Sequence, residues 1–338
     1  MQRAQEWARG PGAAALLYLV MFGCAAGIGV LAFFALARLI RPDVNIFFIW
    51  FNAYTFWVYL PAYPVAVFAG SLRRWFLLAP ALFVCVMHLW WVAPDYLGGS
   101  SVPAAAREAP QLRLVSANAM VGNPTLDQWA TELASHGPDV LFVQEFDRRA
   151  AAAIERSGLA ADLPHFREAY APRWSTGIAI YSRYPLDDLD ILYITRRPII
   201  QIDITVDGSP LRLFNIHAIS PGGRWVADPW NEGWQEYIDL FQAQQVPFVV
   251  AGDFNMTQNH RWHGELREIG LRSCHEERGR GSASTWPYGN SRRLYRVLPK
   301  IRIDHVFLSE GVTCLAITEG DAAGSDHRPV VTTLAILP

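Results

Sequence analysis

Residues 247–255 have the sequence Pro-Phe-Val-Val-Ala-Gly-Asp-Phe-Asn, in which an apolar run is followed by two polar side chains, Asp253 and Asn255. The run from Pro247 to Ala251 is short and is bounded by Pro and Gly, which is typical of a buried strand. Asp253 and Asn255 therefore lie where this strand ends. Polar groups at strand ends of an α/β domain commonly serve a ligand site.

The same arrangement recurs from residue 111 to the end of the chain. Further strands are predicted at 112–116, 140–143, 177–182, 199–206, 211–216, 302–308 and 330–334, and helices at 125–135 and 234–244. Polar residues near the strand ends are Asn118, Glu145, His217, Asp253, Asn255, Asp304, Asp326 and His327. Helices separated by paired strands predict an α/β domain of packed sheets with helices outside. The polar residues are expected to meet at one edge.

These residue types indicate the chemistry of the predicted site. Carboxylate oxygens, together with amide oxygens, are ligands that suit Mg²⁺ or Mn²⁺. Two histidines add proton transfer and the stabilisation of an anion. The sequence therefore predicts a divalent-metal site that can also transfer protons and stabilise an anion.

Two motifs give this domain a family resemblance. Gly252-Asp253-Phe254-Asn255 follows an apolar strand, and Ser325-Asp326-His327-Arg328-Pro329 lies near the C-terminus. With Gln144-Glu145 after another buried strand, and in this order over residues 111–338, they resemble the endonuclease/exonuclease/phosphatase (deoxyribonuclease I-like) superfamily. The resemblance implies a four-layer α/β sandwich, in which two packed mixed β-sheets are flanked by helices. It also implies a metal-dependent phosphoester hydrolase.

The resemblance assigns roles to the polar residues, beginning with metal and water. Asn118 and Glu145 would hold the metal, and Asp326 would lie near the metal or the water. Asp253 would orient or deprotonate the attacking water. Asn255 would hydrogen-bond the phosphate.

The histidines have separate roles in the same resemblance. His327 would contact the scissile phosphate, and Asp304 would orient it and favour its charged form. His217 would be the second catalytic histidine. A histidine at this position makes the sequence resemble the deoxyribonuclease I and sphingomyelinase branches of the family. The sequence departs from the family pattern at Met120, where many members carry a polar residue. This position is therefore not expected to contribute to metal binding.

The N-terminal third has a different composition. Residues 12–37, 44–72 and 75–94 carry no charged side chain. Each run is long enough to span a membrane, which takes about 20 mostly apolar residues. We therefore expect three transmembrane helices within residues 1–95, a small-residue linker at 96–110, and a catalytic domain at 111–338. A cleaved signal peptide fits poorly, because its apolar stretch is shorter and two further runs follow.

The distribution of arginine predicts the orientation. Four arginines fall on the side of the N-terminus and the second loop (Arg3, Arg9, Arg73 and Arg74), whereas two fall in the first loop (Arg38 and Arg41). The positive-inside rule places the N-terminus in the cytoplasm and the catalytic domain outside the cell (inner) membrane. An extracytoplasmic domain would allow Cys274 and Cys314 to form a disulfide, although two buried thiols fit the sequence equally well.

Charge narrows the choice of substrate without naming it. From residue 101 onward there are 28 acidic and 23 basic residues, so the domain lacks the positive bias of a strong nonspecific DNA binder. Residues 272–302 are a local exception with eight basic residues: Arg272, Arg278, Arg280, Arg292, Arg293, Arg296, Lys300 and Arg302. This segment is either a solvated loop or a contact for acidic headgroups or a phosphorylated substrate.

Three functions are compatible with these features. The first is a membrane-anchored phosphodiesterase or phosphatase that acts on lipid headgroups, with membrane lipids as its partners. The second is a metal-dependent nuclease that acts on extracytoplasmic DNA or RNA. The third is a catalytically inactive binding protein. No protein partner is evident from the sequence.

Overall fold

A computed structural model describes residues 11–40, 42–171, 177–222, 226–289, 293 and 295–337. Arg3, Arg9, Arg41 and Arg292 lie outside these residues. The helices are α1 (Pro11–Ile40), α2 (Ile46–Ala53), α3 (Thr55–Val58), α4 (Ala62–Ser71), α5 (Trp75–Leu97), α6 (Ala104–Glu108), α7 (Leu126–Ser135), α8 (Arg148–Arg156), α9 (Leu159–Asp162), α10 (Ala227–Gln242), α11 (Arg261–Glu268) and α12 (Cys274–Glu277). A single 3-10 turn covers Tyr295–Val297.

Twelve strands of the described part of the chain form two six-stranded sheets. They are β1 (Gln111–Asn118), β2 (Val140–Phe146), β3 (His165–Tyr170), β4 (Gly177–Ser182), β5 (Asp187–Ile194), β6 (Arg197–Val206), β7 (Ser209–His217), β8 (Phe248–Asp253), β9 (Arg272–Ser273), β10 (Asp304–Leu308), β11 (Val312–Glu319) and β12 (Val330–Ile336). The first sheet has the order β11-β12-β1-β2-β4-β3, and the second has the order β5-β6-β7-β8-β10-β9. Both are mixed, because β1 pairs with β2 and β7 with β8 in parallel, whereas their other pairings are antiparallel.

The two sheets pack face to face with helices on the outside. Their inner faces share one core, in which Leu114 and Phe142 of the first sheet meet Ile202 and Val249 of the second. Trp129 of α7 and Ile154 of α8 cover the outer face of the first sheet. Trp230 and Trp234 of α10 cover the outer face of the second sheet. The predicted four-layer α/β sandwich is confirmed.

The apolar N-terminal region differs from the prediction in one respect. Among the described residues, two helices are long and apolar enough to cross a membrane, over Ala14–Ile40 and Trp75–Leu97. The second predicted span, 44–72, is not one helix but is divided into α2, α3 and α4. Asn52 of α2 is buried and donates to Asp43 at 2.8 Å. Pro61, which has no backbone N–H, precedes α4.

Helices α1, α4 and α5 of this region nevertheless pack side by side. Met21 of α1, Ala69 of α4 and Leu77 of α5 share a cluster far from the catalytic domain. A second cluster nearer the domain contains Ala35, Ala62 and Cys85, among others. Helix α4 is therefore antiparallel to α1 and α5. The C-terminal ends of α1 and α5 are therefore the ends nearer the α/β domain.

The predicted linker and cysteines have definite structures. Residues 104–108 form α6, whose Ala106 is fully buried, and β1 begins at Gln111. Cys274 and Cys314 form a disulfide that joins α12 to β11, with their Cα atoms 5.4 Å apart. The alternative of two free thiols is therefore not what the structure shows.

Candidate active site

The neighbouring parallel strands β1 and β2 bring Asn118 and Glu145 together. The Asn118 Nδ2 lies 3.5 Å from Glu145 Oε1 and donates to Asp253 Oδ2 at 3.1 Å. A β-bulge between Gln144 and Phe146 interrupts the pairing of β2 with β4, and Glu145 has a φ of +52°. Bulges re-aim side chains beside active sites. Here the bulge turns Glu145 toward Val121, whose N–H donates to Oε2 at 2.6 Å.

The Gly-Asp-Phe-Asn motif positions Asp253 at the end of β8. Gly252 has a φ of +145°, and a Cβ atom there would clash with the Ile216 carbonyl of β7. The glycine thus lets the two strands approach closely next to the site. Asp253 Oδ1 accepts from the Asn255 N–H at 2.9 Å, and the Asn255 side chain donates to the Ala218 carbonyl at 3.0 Å.

The C-terminal motif brings His327 against β10. His327 Nδ1 lies 2.9 Å from Asp304 Oδ2, and its Nε2 lies 3.8 Å from Asp253 Oδ2 and 4.0 Å from Asp326 Oδ1. Ser325 fixes the turn, because its Oγ accepts from the His327 N–H at 3.0 Å and donates to the Asn118 carbonyl at 2.8 Å.

His217 completes the cluster from the end of β7. Its Nε2 lies 3.5 Å from Asp253 Oδ2. The structure therefore brings all eight predicted residues to one end of the two sheets. Six of them line a cavity of about 380 Å³, namely Glu145, His217, Asp253, Asn255, Asp326 and His327. Asn118 and Asp304 are buried behind it and contact residues that line it.

The burial of so many ionisable groups changes their pKa values. Burial raises the pKa of Asp253 to about 7; the charge of His327 opposes this rise, whereas Asp304 and Glu145 add to it. Burial by itself would lower the pKa of His327, but Asp304 and Asp253 raise it well above its ordinary value. Burial, together with the charges of Arg197 and His327, lowers the pKa of His217 to about 3. The two histidines are therefore different, with His327 charged and His217 neutral near pH 7.

Oxygen donors in this site could hold a divalent metal. Atoms of Asp253, Asp304 and His327 lie within 4.8 Å of one another, which is compatible with metal ligands. However, His327 Nδ1 already hydrogen-bonds Asp304, so this trio is better described as a histidine held between two carboxylates. The neighbouring pair Asn118 and Glu145 offers oxygen donors at the cavity end of β1 and β2.

Several residues that support the site were not predicted. Gln144 of β2 donates to Asn215 of β7 at 2.8 Å, and both side chains are fully buried between the sheets. In the sequence, each is a polar residue inside an otherwise apolar strand, and this pattern could have indicated a supporting role. Trp286 donates to Asp326 Oδ2 at 3.3 Å. Trp50, which lies in the apolar N-terminal region, also lines the cavity.

The basic segment 272–302 is partly used within the domain. Arg272 donates to the Ser309 carbonyl at 3.0 Å, and buried Arg302 donates to the Gly281 carbonyl at 2.6 Å. Arg280 pairs with Glu319. These three side chains therefore have structural partners, whereas exposed Lys300 lies 3.8 Å above the ring of Tyr288.

Comparisons with solved structures agree with the sandwich architecture. An endonuclease/exonuclease/phosphatase from Beutenbergia cavernae DSM 12333 is 18% identical with a TM-score of 0.53, covering 68% of this chain and 72% of that chain. D. rerio TDP2 complexed with single-strand DNA product is 19% identical with a TM-score of 0.53, covering 66% and 98%. The endonuclease/exonuclease/phosphatase from Bacteroides vulgatus is 16% identical with a TM-score of 0.51, covering 67% and 99%.

The sequence comparisons identify the family. No curated protein matches the chain significantly. The profile of the endonuclease/exonuclease/phosphatase family matches residues 115–327, which is more than half of the chain and includes all eight residues of the site. The chain therefore belongs to the endonuclease/exonuclease/phosphatase family and is, as predicted, a phosphoester-hydrolysing enzyme.

Proposed function

We propose that this protein is a membrane-anchored, divalent-metal-dependent phosphoester hydrolase that acts on lipid headgroups. The observation that carries the proposal is the position of the catalytic cavity. Carboxylates and histidines of the catalytic domain line one side of it, and residues of the apolar N-terminal region line another. A phosphate bound there would lie next to the helices that we assign to the membrane.

The residues of the site fit a divalent cation. Asn118 and Glu145 would hold it, and Asp326 would contribute from the opposite side of the cavity. The fit is supported by the excess of negative charge, since Glu145 and Asp304 contribute to the raised pKa of Asp253. Hard oxygen donors of this kind select Mg²⁺ or Mn²⁺. When bound, such a cation supplies positive charge that offsets the charge on the phosphate.

The other residues would bind the phosphate and position water. Asp253 is held in place by Asn118 and the Asn255 N–H, so its Oδ2 is oriented to accept a proton from the attacking water. His327, charged and oriented by Asp304, would donate a hydrogen bond from Nε2 to a phosphate oxygen. Neutral His217 would hold the other side of the phosphate, and Asn255 would donate its remaining amide hydrogen.

The location that we propose is the cell (inner) membrane, with the catalytic domain outside the cytoplasm. The disulfide between Cys274 and Cys314 supports this side, because disulfides persist in oxidising compartments. The apolar side chains exposed along α1 and α5 support the anchoring. Alkaline phosphatase fused to the C-terminus should be active in intact cells. An expressed but inactive fusion would reverse the orientation.

The proposed function can be tested with purified full-length protein. The substrates would be sphingomyelin, phosphatidylinositol phosphates, double-stranded DNA and small phosphomonoesters, each with Mg²⁺ and with a chelator. We expect lipid hydrolysis that the chelator abolishes and that His327→Ala lowers by a hundredfold or more, on the order of the contribution of general acid–base groups. Cleavage of DNA alone, absent from the variant, would instead identify a nuclease. A protein that hydrolyses nothing and binds no metal would be a binding protein.

A further inference from the structure

Helix α2 belongs to the apolar N-terminal region but is fixed to the catalytic domain. His260 Nε2 donates to the Ile49 carbonyl at 2.9 Å, while its Nδ1 accepts from the Thr257 N–H. The side chain of Ile49 is buried in the core that covers the second sheet. Trp50 donates from Nε1 to the Pro221 carbonyl at 2.9 Å, within the segment that follows His217.

Residues before α2 strengthen this attachment. The Asp43 side chain is fully buried and accepts from the Arg261 N–H at 2.7 Å and from Asn52 at 2.8 Å. Arg38 donates to the Asn259 carbonyl at 2.8 Å. A flexible tether would not need such buried polar contacts, because each must be satisfied on folding. The attachment therefore gives α2 a fixed position at the active site.

That position makes α2 a wall of the catalytic cavity. Ile49, Trp50 and Ala53 line it opposite the polar cluster, and Trp286 lies beside Asp326. The cavity is thus anionic at one end and apolar at the other. A free inorganic phosphate or a sugar phosphate would use only the polar end.

Part of this lining is shared with a second cavity beside α5. Ala53 and Ile301 also line this cavity of about 90 Å³, where Phe56, Trp57 and Tyr96 form its aromatic side, and Asp95, Asn259 and Arg302 are among its polar residues. Trp57 is 42% exposed and Tyr96 is 56% exposed, and aromatic residues of this kind favour a membrane–water interface. Lys300 lines the same cavity and is suited to an acidic headgroup.

From these contacts we infer that α2 is part of the substrate-binding site and selects a phospholipid that stays in the bilayer. The phosphate would lie at Asp253 and His327, the lipid backbone would lie against Trp50, and the acyl chains would pass Ala53 toward Trp57 and Tyr96. This inference rests on the proposed function. It adds that the N-terminal region determines specificity, beyond anchoring the enzyme.

The test compares two substrates with full-length protein and Mg²⁺. One is a vesicle of equal parts phosphatidylethanolamine, phosphatidylglycerol and sphingomyelin, and the other is the soluble diester bis-(para-nitrophenyl) phosphate. Trp50→Ala removes the aromatic ring from the wall, and Ala53→Trp adds a large side chain at a residue that lines both cavities. Phe47→Ala is the matched control, because Phe47 lies on the same helix but is 75% exposed.

We expect both cavity variants to lower kcat/KM for the lipid by about tenfold or more, which is the effect of losing one good apolar contact. Their kcat/KM for the soluble diester should fall less, so that the ratio of lipid to soluble-diester kcat/KM falls by about fivefold or more, whereas Phe47→Ala should change neither value. Trp50→Phe keeps an aromatic ring but loses the N–H that bonds Pro221. We expect Trp50→Phe to retain most of the lipid activity, because the inference assigns the contact with the lipid to the aromatic ring and not to the N–H.

Two results with the variants would overturn the inference. One is an equal loss on both substrates in Trp50→Ala and Ala53→Trp, which would make α2 a structural support only. The other is undiminished lipid hydrolysis in both variants. A wild-type protein that cleaves the soluble diester but none of the lipids would refute both the inference and the lipid substrate of the proposed function, and would leave a phosphoester hydrolase. Failure to cleave either substrate would count against the proposed function itself.

Discussion

His327 is the residue whose surroundings say most about the chemistry of the site. Its two nitrogens face carboxylates, Asp304 at Nδ1 and Asp253 near Nε2, and the imidazole is buried. A buried imidazolium is stable only with such partners. The pairing with Asp304 uses Nδ1 and leaves Nε2 directed into the cavity. Asp304 is therefore a positioning residue that acts through His327.

Replacing Asp304 by Asn tests this role. The amide keeps the size of the side chain but removes the negative charge, so the charged form of His327 loses its main partner. We expect kcat to fall by about a hundredfold or more, with little change in KM. Steady-state kinetics on the wild-type substrate is the measurement, and Mg²⁺ affinity by calorimetry should be unchanged. A loss of metal binding equal to the loss of kcat would mean that Asp304 serves the metal instead.

The convergence of the eight residues could be predicted because each lies at or near one end of an apolar strand. Strand ends are set by local sequence, and the two motifs add the spacing. The contribution of Trp50 could not be predicted in this way, because a Trp in an apolar run looks like any residue of a membrane helix. Its role depends on how α2 docks on residues more than 170 positions later in the chain, such as Pro221.

At the scale of elements, the two sheets are joined directly beneath the site. Asn215 of β7 accepts from Gln144 and donates to the Ala179 carbonyl of β4 at 2.8 Å. This polar contact crosses a core that is otherwise apolar. It ties β2, which carries Glu145, to β7, which carries His217, and so holds the two halves of the site in register.

Substitution of this pair by leucine should reveal their coupling. Gln144→Leu leaves Asn215 Oδ1 buried without this donor, and Asn215→Leu leaves Gln144 Nε2 with only the Ser116 hydroxyl, at 3.2 Å. Each change should lower the free energy of unfolding by about 1–3 kcal/mol. The double variant should be less destabilised than the sum of the two by about 1 kcal/mol, as expected for residues in contact. Denaturant unfolding of the four proteins in detergent gives this difference. Additive effects would show that the contact does not stabilise the interface between the sheets.

Elements with strong apolar patterns were predicted and those without them were not. Strand β4 spans the predicted residues 177–182, and α10 begins seven residues before its predicted start. The edge strands β3 and β5 were missed because each has only one buried side chain, Ala169 and Ile194, so their sequences lack the apolar pattern of a buried strand. The division of 44–72 also escaped prediction. Asn52, in the first of its helices, makes a buried contact with Asp43 that only the folded chain provides.

At the scale of the whole molecule, a buried polar layer connects the catalytic domain to α5. Fully buried His263, His275 and His305 come from α11, α12 and β10. The charged groups around them are Asp95 of α5, Arg267, Glu276, Arg280, Arg302 and Glu319. Burial, followed by the charge of Arg302, lowers the pKa of all three histidines. They are therefore neutral in the folded protein at pH 7.

This layer predicts loss of stability in mild acid. The pKa of His275 is lowered to about 4 from an ordinary value of 6.5, mainly by burial. Between these pH values the unfolded chain binds a proton that the folded protein does not, so stability falls as the pH falls. For one histidine the loss over this window is about 3 kcal/mol, at about 1.4 kcal/mol per pH unit.

Melting temperatures in detergent at pH 7.0 and pH 4.5 would measure the effect. His275→Gln removes this titration, so its melting temperature should fall less on acidification than that of the wild type, by about 6–12 °C for a domain of this size. The control is His165→Gln, at a half-exposed histidine on edge strand β3, and it should match the wild-type pH dependence. If His275→Gln and the wild type lose stability in parallel, His275 already binds its proton in the folded state. In that case Glu319, 3.2 Å from its Nε2, would be stabilising the charged form.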